Sequence, residues 1–197
     1  MEPALRRLIK RISPPTNPRF SNVDWARLEK GIKLPYPPSF KEFVKVYGGS
    51  IWFDNLSLLY TEAKSATEVI KFVKSVSDTL RCLQSNMYDA SFQRVDLPLY
   101  PSEGGLFPFI SDYGGGIGCW KADHGDPEKW SVFYWVQGPL VNLKRTTIAK
   151  MILGFLEAKP DMIKIWGDVR SYEIERIRLT EVASENAIKP SKPRRKK

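Results

Sequence analysis

Apolar residues recur at helical spacing in three segments of the chain. One stripe has members at i, i+3, i+4 and i+7, namely Phe40, Phe43, Val44 and Tyr47. The longest stripe runs through residues 66–83, and a third runs through 147–158. Ser39 and Ser65 each stand three residues before a glutamate, which is the spacing of a capping box at a helix start. The pattern predicts helices over 39–47, 66–83 and 147–158.

Two shorter helical patterns precede these segments. Residues 4–12 (ALRRLIKRI) are amphipathic and are followed by SPPTNP, whose prolines break a helix and indicate a linker. A second short helix is predicted over 23–32, with Ser21 or Asn22 as its cap. A glycine at position 48 or 49 can end the helix over 39–47, because glycine adopts the left-handed conformation without steric cost.

Four apolar runs at strand length alternate with turn-forming residues. They cover 51–60, 106–110, 117–122 and 130–136, and the turns DYGGG and DHGDPEK separate the last three. Adjacent strands beside separate helices indicate an α+β fold. We therefore expect a single domain with a mostly antiparallel or mixed sheet and helices packed beside it. Residues 163–182 fit both helical and strand periods, so their assignment stays open.

The net charge of +9 belongs to the ends of the chain. Residues 189–197 (KPSKPRRKK) carry six positive charges and residues 1–11 carry a net three, which leaves 12–188 near neutral. The C-terminal segment has nothing to bury, so a disordered basic tail is expected over 183–197. Such a tail solubilises the chain, and weak contact with nucleic acid or an anionic surface is the functional alternative.

No motif in the sequence predicts catalysis. A phosphate-binding G-x-G-x-x-G read from Gly114 would need glycine at position 119, where Cys119 stands. Cys119 and the single histidine, His124, need not face each other, and Cys82 is remote from both. Two cysteines and one histidine are too few for an ordinary zinc site. We expect no enzyme, no metal and no cofactor.

The sequence also bears on location. No apolar run approaches the roughly 20 residues of a membrane span. The N-terminal segment lacks the apolar core and cleavage site of a secretory signal. Two distant cysteines are typical of free thiols in a reducing compartment. These features predict a cytoplasmic protein without a membrane span, and they leave its oligomeric state open.

Two blocks of the sequence resemble the SUKH superfamily. The first is VDWARLEKGIKLPYPPSFKEFVKVYGGSIWFDNLSLL, in which a helix with W and L-E is followed by L-P and a helix ending in Y-G-G. The second is LFPFISDYGGGIGCWKADHGDPEKWSVFYW, with a Phe-Pro-Phe strand, a Cys-Trp strand and a Gly-Asp-Pro turn. The resemblance covers about residues 22–157. We expect a SUKH-like domain over 19–182, preceded by a helix and Pro-rich linker over 1–18.

The resemblance implies a function in protein binding. Bacterial members of the superfamily act as immunity proteins that neutralise cognate toxins, and fungal members act as regulators through protein contacts. We expect an immunity protein that binds its toxin stoichiometrically. The alternatives are a regulatory scaffold with several protein partners and nucleic-acid association through the tail.

Candidate partner-binding residues are polar or aromatic groups at strand ends and turns, because aromatic side chains are the preferred anchors of protein interfaces. They are Trp52, Asp54, Tyr113, Trp120, His124 and Trp130. Trp130 and Trp135 lie five residues apart, so a regular strand would point them to opposite faces. One of those two is expected outside the core or covered by another element. Pro35, Tyr47 and Gly49 are expected to serve as scaffold.

Overall fold

The computed structural model describes residues 1–53, 55–84, 97–123, 125–136 and 140–167. These residues form six α-helices, one short 3-10 helix and five strands. In chain order the elements are α1 (Pro3–Arg11), α2 (Trp25–Ile32), α3 (Pro38–Tyr47), β1 (Leu56–Leu58), α4 (Ala66–Gln84), β2 (Leu106–Asp112), β3 (Ile117–Lys121), the 3-10 helix (Pro127–Lys129), β4 (Ser131–Trp135), β5 (Leu140–Asn142), α5 (Ile148–Leu156) and α6 (Pro160–Trp166). No helix in the described ranges could cross a bilayer.

The strands form one antiparallel sheet in the order β1-β2-β3-β4-β5, so each strand pairs with its neighbour in sequence. This arrangement confirms the predicted α+β fold. A bulge between Pro108 and Ile110 interrupts the pairing of β2 with β3. Proline has no N–H to donate to a sheet, and a bulge is one place where a strand tolerates it. The bulge leaves Phe107 and Phe109 both stacked on Trp120.

The helix α1 belongs to the same core as the sheet. Leu5 and Leu8 are fully buried in that core, and α1 packs along α5. The predicted boundary at residue 18 therefore does not separate α1 from the domain. Apolar side chains one turn apart on a short helix need a partner surface, and α5 supplies it.

Two predicted helix starts are replaced by other capping contacts. Asp24, and not Ser21 or Asn22, caps α2, because its Oδ1 accepts a hydrogen bond from the Arg27 N–H at 3.0 Å. Helix α3 begins at Pro38, and no side chain of its own caps it. The predicted capping box at Ser39 is therefore wrong. At α4 the start signal is confirmed, since Ser65 Oγ accepts from the Glu68 N–H at 3.2 Å.

Four other elements differ from the predictions. The strand expected over 51–60 is confined to β1, because the chain turns after Trp52 and Phe53 has a positive φ of 56°. Within α4, the stripe predicted from the sequence included Ile70, which is exposed, and left out Phe72, which is buried. The short strand β5 and the helix α6, which starts at Pro160, were not predicted. The tail and most of 163–182 lie outside the described residues.

Candidate partner-binding site

The turn between β2 and β3 is closed by hydrogen bonds from Asp112. Its carboxylate Oδ1 accepts from the Gly116 N–H at 2.8 Å, and its backbone carbonyl accepts from the Gly115 N–H at 3.1 Å. The Asp112 N–H in turn donates to the Gly116 carbonyl at 2.9 Å. Gly115 has a φ of 90°, a conformation that suits glycine. The glycine-rich DYGGG segment is thus a tight hairpin turn with a fixed backbone.

The second oxygen of the Asp112 carboxylate ties this turn to the core. Asp112 Oδ2 accepts a hydrogen bond from the Tyr134 hydroxyl at 2.6 Å. Burial, and then the nearby Asp112 carboxylate, raise the pKa of Tyr134, so its hydroxyl keeps the proton that it donates. The Tyr134 ring packs edge-on against Trp166 of α6, with 5.7 Å between the ring centroids. A displacement of the turn would therefore disturb buried packing.

Asn55 holds the same turn from the side of β1. Its side-chain Oδ1 accepts from the Tyr113 N–H at 2.8 Å, and its backbone carbonyl lies 3.2 Å from the same nitrogen. The backbone on both sides of Tyr113 is thus constrained, while the Tyr113 side chain is 69% exposed. The turn presents one large aromatic ring to solvent on a rigid support. We define Asn55, Asp112 and Tyr113 as the Tyr113 turn.

The other candidate aromatics lie in the core. Trp52 is 1% exposed and packs against Phe43 and Tyr47 of α3. Trp120 and Trp130 are also buried. These three side chains are therefore not exposed to a partner in this structure. Asp54 and His124 lie outside the described residues, so Tyr113 is the exposed candidate among those described.

The Trp130 and Trp135 side chains are both buried. Trp130 precedes β4 instead of lying on it, so strand alternation does not apply to this pair, and neither side chain lies outside the core. The indole N–H of Trp130 donates to the Asp123 carbonyl at 2.6 Å, which fixes the ring beside the turn before the 3-10 helix.

A shallow cleft, whose cavity volume of about 10 Å³ is no larger than a water molecule needs, lies where the N-termini of α3 and α5 meet the 3-10 helix. Polar groups of its lining are already hydrogen-bonded: the Ser39 N–H donates to the Glu128 carboxylate, and Thr147 Oγ1 donates to Oε1 of Glu2, outside the lining, at 2.6 Å. Burial raises the pKa of the Glu2 carboxyl, while the hydrogen bond from Thr147 opposes that shift. The cleft was not predicted, because its walls come from four distant parts of the chain.

The other groups that could carry out chemistry are the two thiols and the loop carboxylates. Burial raises the pKa of the Cys119 thiol, so Cys119 stays protonated and is a poor nucleophile. Cys82 is also a free thiol. Asp126 caps the 3-10 helix through the Glu128 N–H. Within the described ranges, no three His, Cys, Asp or Glu side chains converge as metal ligands.

Sequence reasoning named Tyr113 as a candidate partner-binding residue but missed Asn55, which holds the Tyr113 backbone N–H. Asn55 lies 58 residues from the turn, and no periodic or local signal links the two. Its position directly after Asp54 was the closest indication, since Asn is frequent in turns. The pairing of β1 with β2, which places Leu56 opposite Asp112, is what brings Asn55 to the turn.

Replacing Tyr134 by phenylalanine tests whether this turn is tied to the core. The ring remains, but Asp112 Oδ2 loses the donor that it has in the native protein. We expect the free energy of unfolding to fall by about 1–2 kcal/mol, the usual cost of an unsatisfied polar group. Urea denaturation monitored by tryptophan fluorescence measures the change. A Tyr113→Phe variant is the control, since its hydroxyl is in solvent, and an equal loss in both variants would contradict the expectation.

Comparisons of the chain with family models, curated proteins and solved structures found no match.

Proposed function

We propose that the protein is an immunity protein, a non-catalytic cytoplasmic module that neutralises a cognate bacterial toxin by stoichiometric binding. The observation that carries this proposal is the exposed ring of Tyr113 on a turn whose backbone is held by Asp112 and Asn55. A few aromatic anchors carry most of the energy of a protein interface. Among the aromatic residues that the structure describes, Tyr113 is the most exposed.

Rigidity makes such an anchor effective. Binding costs free energy for every side chain and loop that it orders, and a preorganised loop has less to lose. Tyrosine adds large contact area with only two rotatable side-chain bonds. The Tyr113 turn meets both conditions, so it would sit at the centre of an interface of roughly 800 Å² on each partner.

The SUKH-like motifs support the same class of function. Leu34 and Pro35 connect α2 to α3, and α3 ends at Tyr47 followed by Gly48 and Gly49, in the order that the resemblance implies. A non-catalytic role is also consistent with the protonated thiol of Cys119 and with the hydrogen-bonded polar groups of the cleft lining.

The test begins with the gene next to the one that encodes this chain. If that gene encodes a toxin, co-expression of this protein is expected to rescue growth, and the two purified proteins are expected to form a 1:1 complex. Replacing Tyr113 by alanine should weaken that complex roughly 30-fold, since hot-spot residues contribute about 2 kcal/mol or more. Isothermal titration calorimetry measures the dissociation constant.

Ile70→Ala is the matched control. Ile70 is also 69% exposed, and it lies on α4, which contributes no residue to the Tyr113 turn. Its removal should change the affinity less than twofold, and both variants should melt like the wild type. Equal affinities for the wild type and Tyr113→Ala would refute the site. Failure to bind or neutralise the neighbouring toxin would refute immunity, and capture of several unrelated proteins instead would favour a scaffold.

A further inference from the structure

Cationic side chains are concentrated on one layer of the fold, made of α1, the loop 143–147, α5 and α6. Its residues, 1–11 and 143–167, contain nine lysines and arginines against three carboxylates. The rest of the described chain contains twelve against eleven. All nine cationic residues of the layer are exposed. We call this surface the basic layer. A sum of charges over residues 12–188 does not reveal it, because the layer combines residues 1–11 with residues 143–167.

Packing makes the basic layer continuous. At the start of α5, Thr147 donates a hydrogen bond to Glu2, and near its end the Arg11 side chain donates to the Leu156 carbonyl at 3.1 Å. Helix α1 therefore runs parallel to α5 along its full length. Arg7 and Lys159 meet at Glu157, with N–O distances of 2.7 and 3.4 Å. The charges of α1 thus continue into the connection between α5 and α6.

Few of these charges are neutralised by ion pairs. The Glu157 carboxylate is shared between two cations, and the Arg6 guanidinium donates to a backbone carbonyl, that of Met1. Among the described residues, none of Lys10, Lys144, Arg145 and Lys164 has a carboxylate within ion-pair distance. A surface of unpaired exposed cations is the electrostatic footprint of a polyanion-binding protein.

We infer that the basic layer binds the phosphate backbone of duplex nucleic acid, independently of the proposed immunity function. Three of the four cations on α1 are arginines, whose planar guanidinium matches phosphate geometry. Single strands are held by aromatic stacking, and the aromatic residues of α5 and α6, Phe155 and Trp166, are buried. The apolar residues Ala4, Leu5 and Leu8 of α1 are also buried, so this face of α1 is not available to insert into a bilayer.

Neutralising two cations of α1 tests the inference. The full-length variant Arg6→Gln with Lys10→Gln should bind a fluorescein-labelled 20-base-pair DNA roughly tenfold more weakly at low salt, by fluorescence polarisation. The slope of log K against log salt should fall by about 1.8, since each phosphate contact contributes about 0.9. Lys144→Gln with Arg145→Gln, elsewhere on the layer, should act in the same direction. The same measurement with a 20-base-pair RNA duplex shows whether the basic layer binds DNA or RNA more tightly.

Lys71→Gln with Lys74→Gln on α4 is the matched control, because it removes the same charge from exposed positions outside the layer. Its affinity should stay within twofold of the wild type. Equal weakening by this control would overturn the inference, as would loss of binding only when residues 189–197 are deleted. Binding to vesicles containing phosphatidylserine without binding to either duplex would also overturn it.

Discussion

Replacing Gly48 by alanine is expected to lower the free energy of unfolding by about 3–5 kcal/mol, the combined cost of backbone strain and a buried clash. Gly48 follows α3 with a φ of 61° and a ψ of −149°, a region that only glycine occupies readily. A Cβ built at this position would lie 2.0 Å from the backbone carbonyl oxygen of Arg19. That carbonyl cannot move freely, because it accepts a hydrogen bond from the Gly49 N–H at 2.8 Å.

Gly125→Ala separates the two contributions. Gly125 also has a positive φ, 105°, but apart from its chain neighbours no described residue has an atom within 4 Å of the Cβ that alanine would add. Its replacement should cost only the conformational strain, about 1–2 kcal/mol. Urea denaturation with an unchanged m-value measures both losses. If Gly48→Ala were no more destabilising than Gly125→Ala, the close approach of the residue 19 segment to the end of α3 would be refuted.

The prediction that a glycine ends α3 was correct, because the signal for it is local. Helix periodicity and a glycine at the exit occur within a few residues of each other, and the structure selects Gly48. The start of α3 shows the limit of the same reasoning. Ser39 and Glu42 have capping-box spacing, yet Glu42 accepts from the Glu2 N–H at 2.9 Å, and Glu128 accepts from the Ser39 N–H. Partners 40 and 89 residues away decide that contact, and no local pattern identifies them.

The same contrast between local signals and distant partners applies to the candidate site. The DYGGG turn could be predicted from its residues, and so could the place of Tyr113 on it. Whether a tryptophan on a strand is exposed could not, because that depends on what covers each face of the sheet. Strand β3 is buried on both faces, so alternation gives no outward side. The basic layer was also beyond sequence reasoning, since packing brings α1 beside a segment about 140 residues later.

Trp120→Ala is expected to destabilise the protein by about 3–5 kcal/mol, the usual cost of removing a buried tryptophan. Trp120 stacks on Phe109 with ring centroids 4.3 Å apart, and Phe40 and Tyr36 meet it edge-on at 5.1 and 5.5 Å. The deletion would leave a cavity between the sheet and α3 that these rings cannot fill without losing their own contacts. If Trp120 were instead a partner anchor, its loss would leave stability nearly unchanged.

Trp25→Ala provides the comparison, since Trp25 belongs to the same aromatic cluster but is only half-buried at its edge. Its removal should cost less, about 1–3 kcal/mol, because solvent can replace part of the lost contact. Urea midpoints give both values, and Trp120→Phe keeps the measurement possible if the alanine variant does not fold. The phenylalanine ring keeps part of the stacking on Phe109. The free energy of unfolding of Trp120→Phe should therefore lie between the values of the wild type and Trp120→Ala. A core role for Trp120 would be contradicted if Trp120→Phe had wild-type stability while Trp25→Ala lowered the free energy of unfolding by more than Trp120→Phe does.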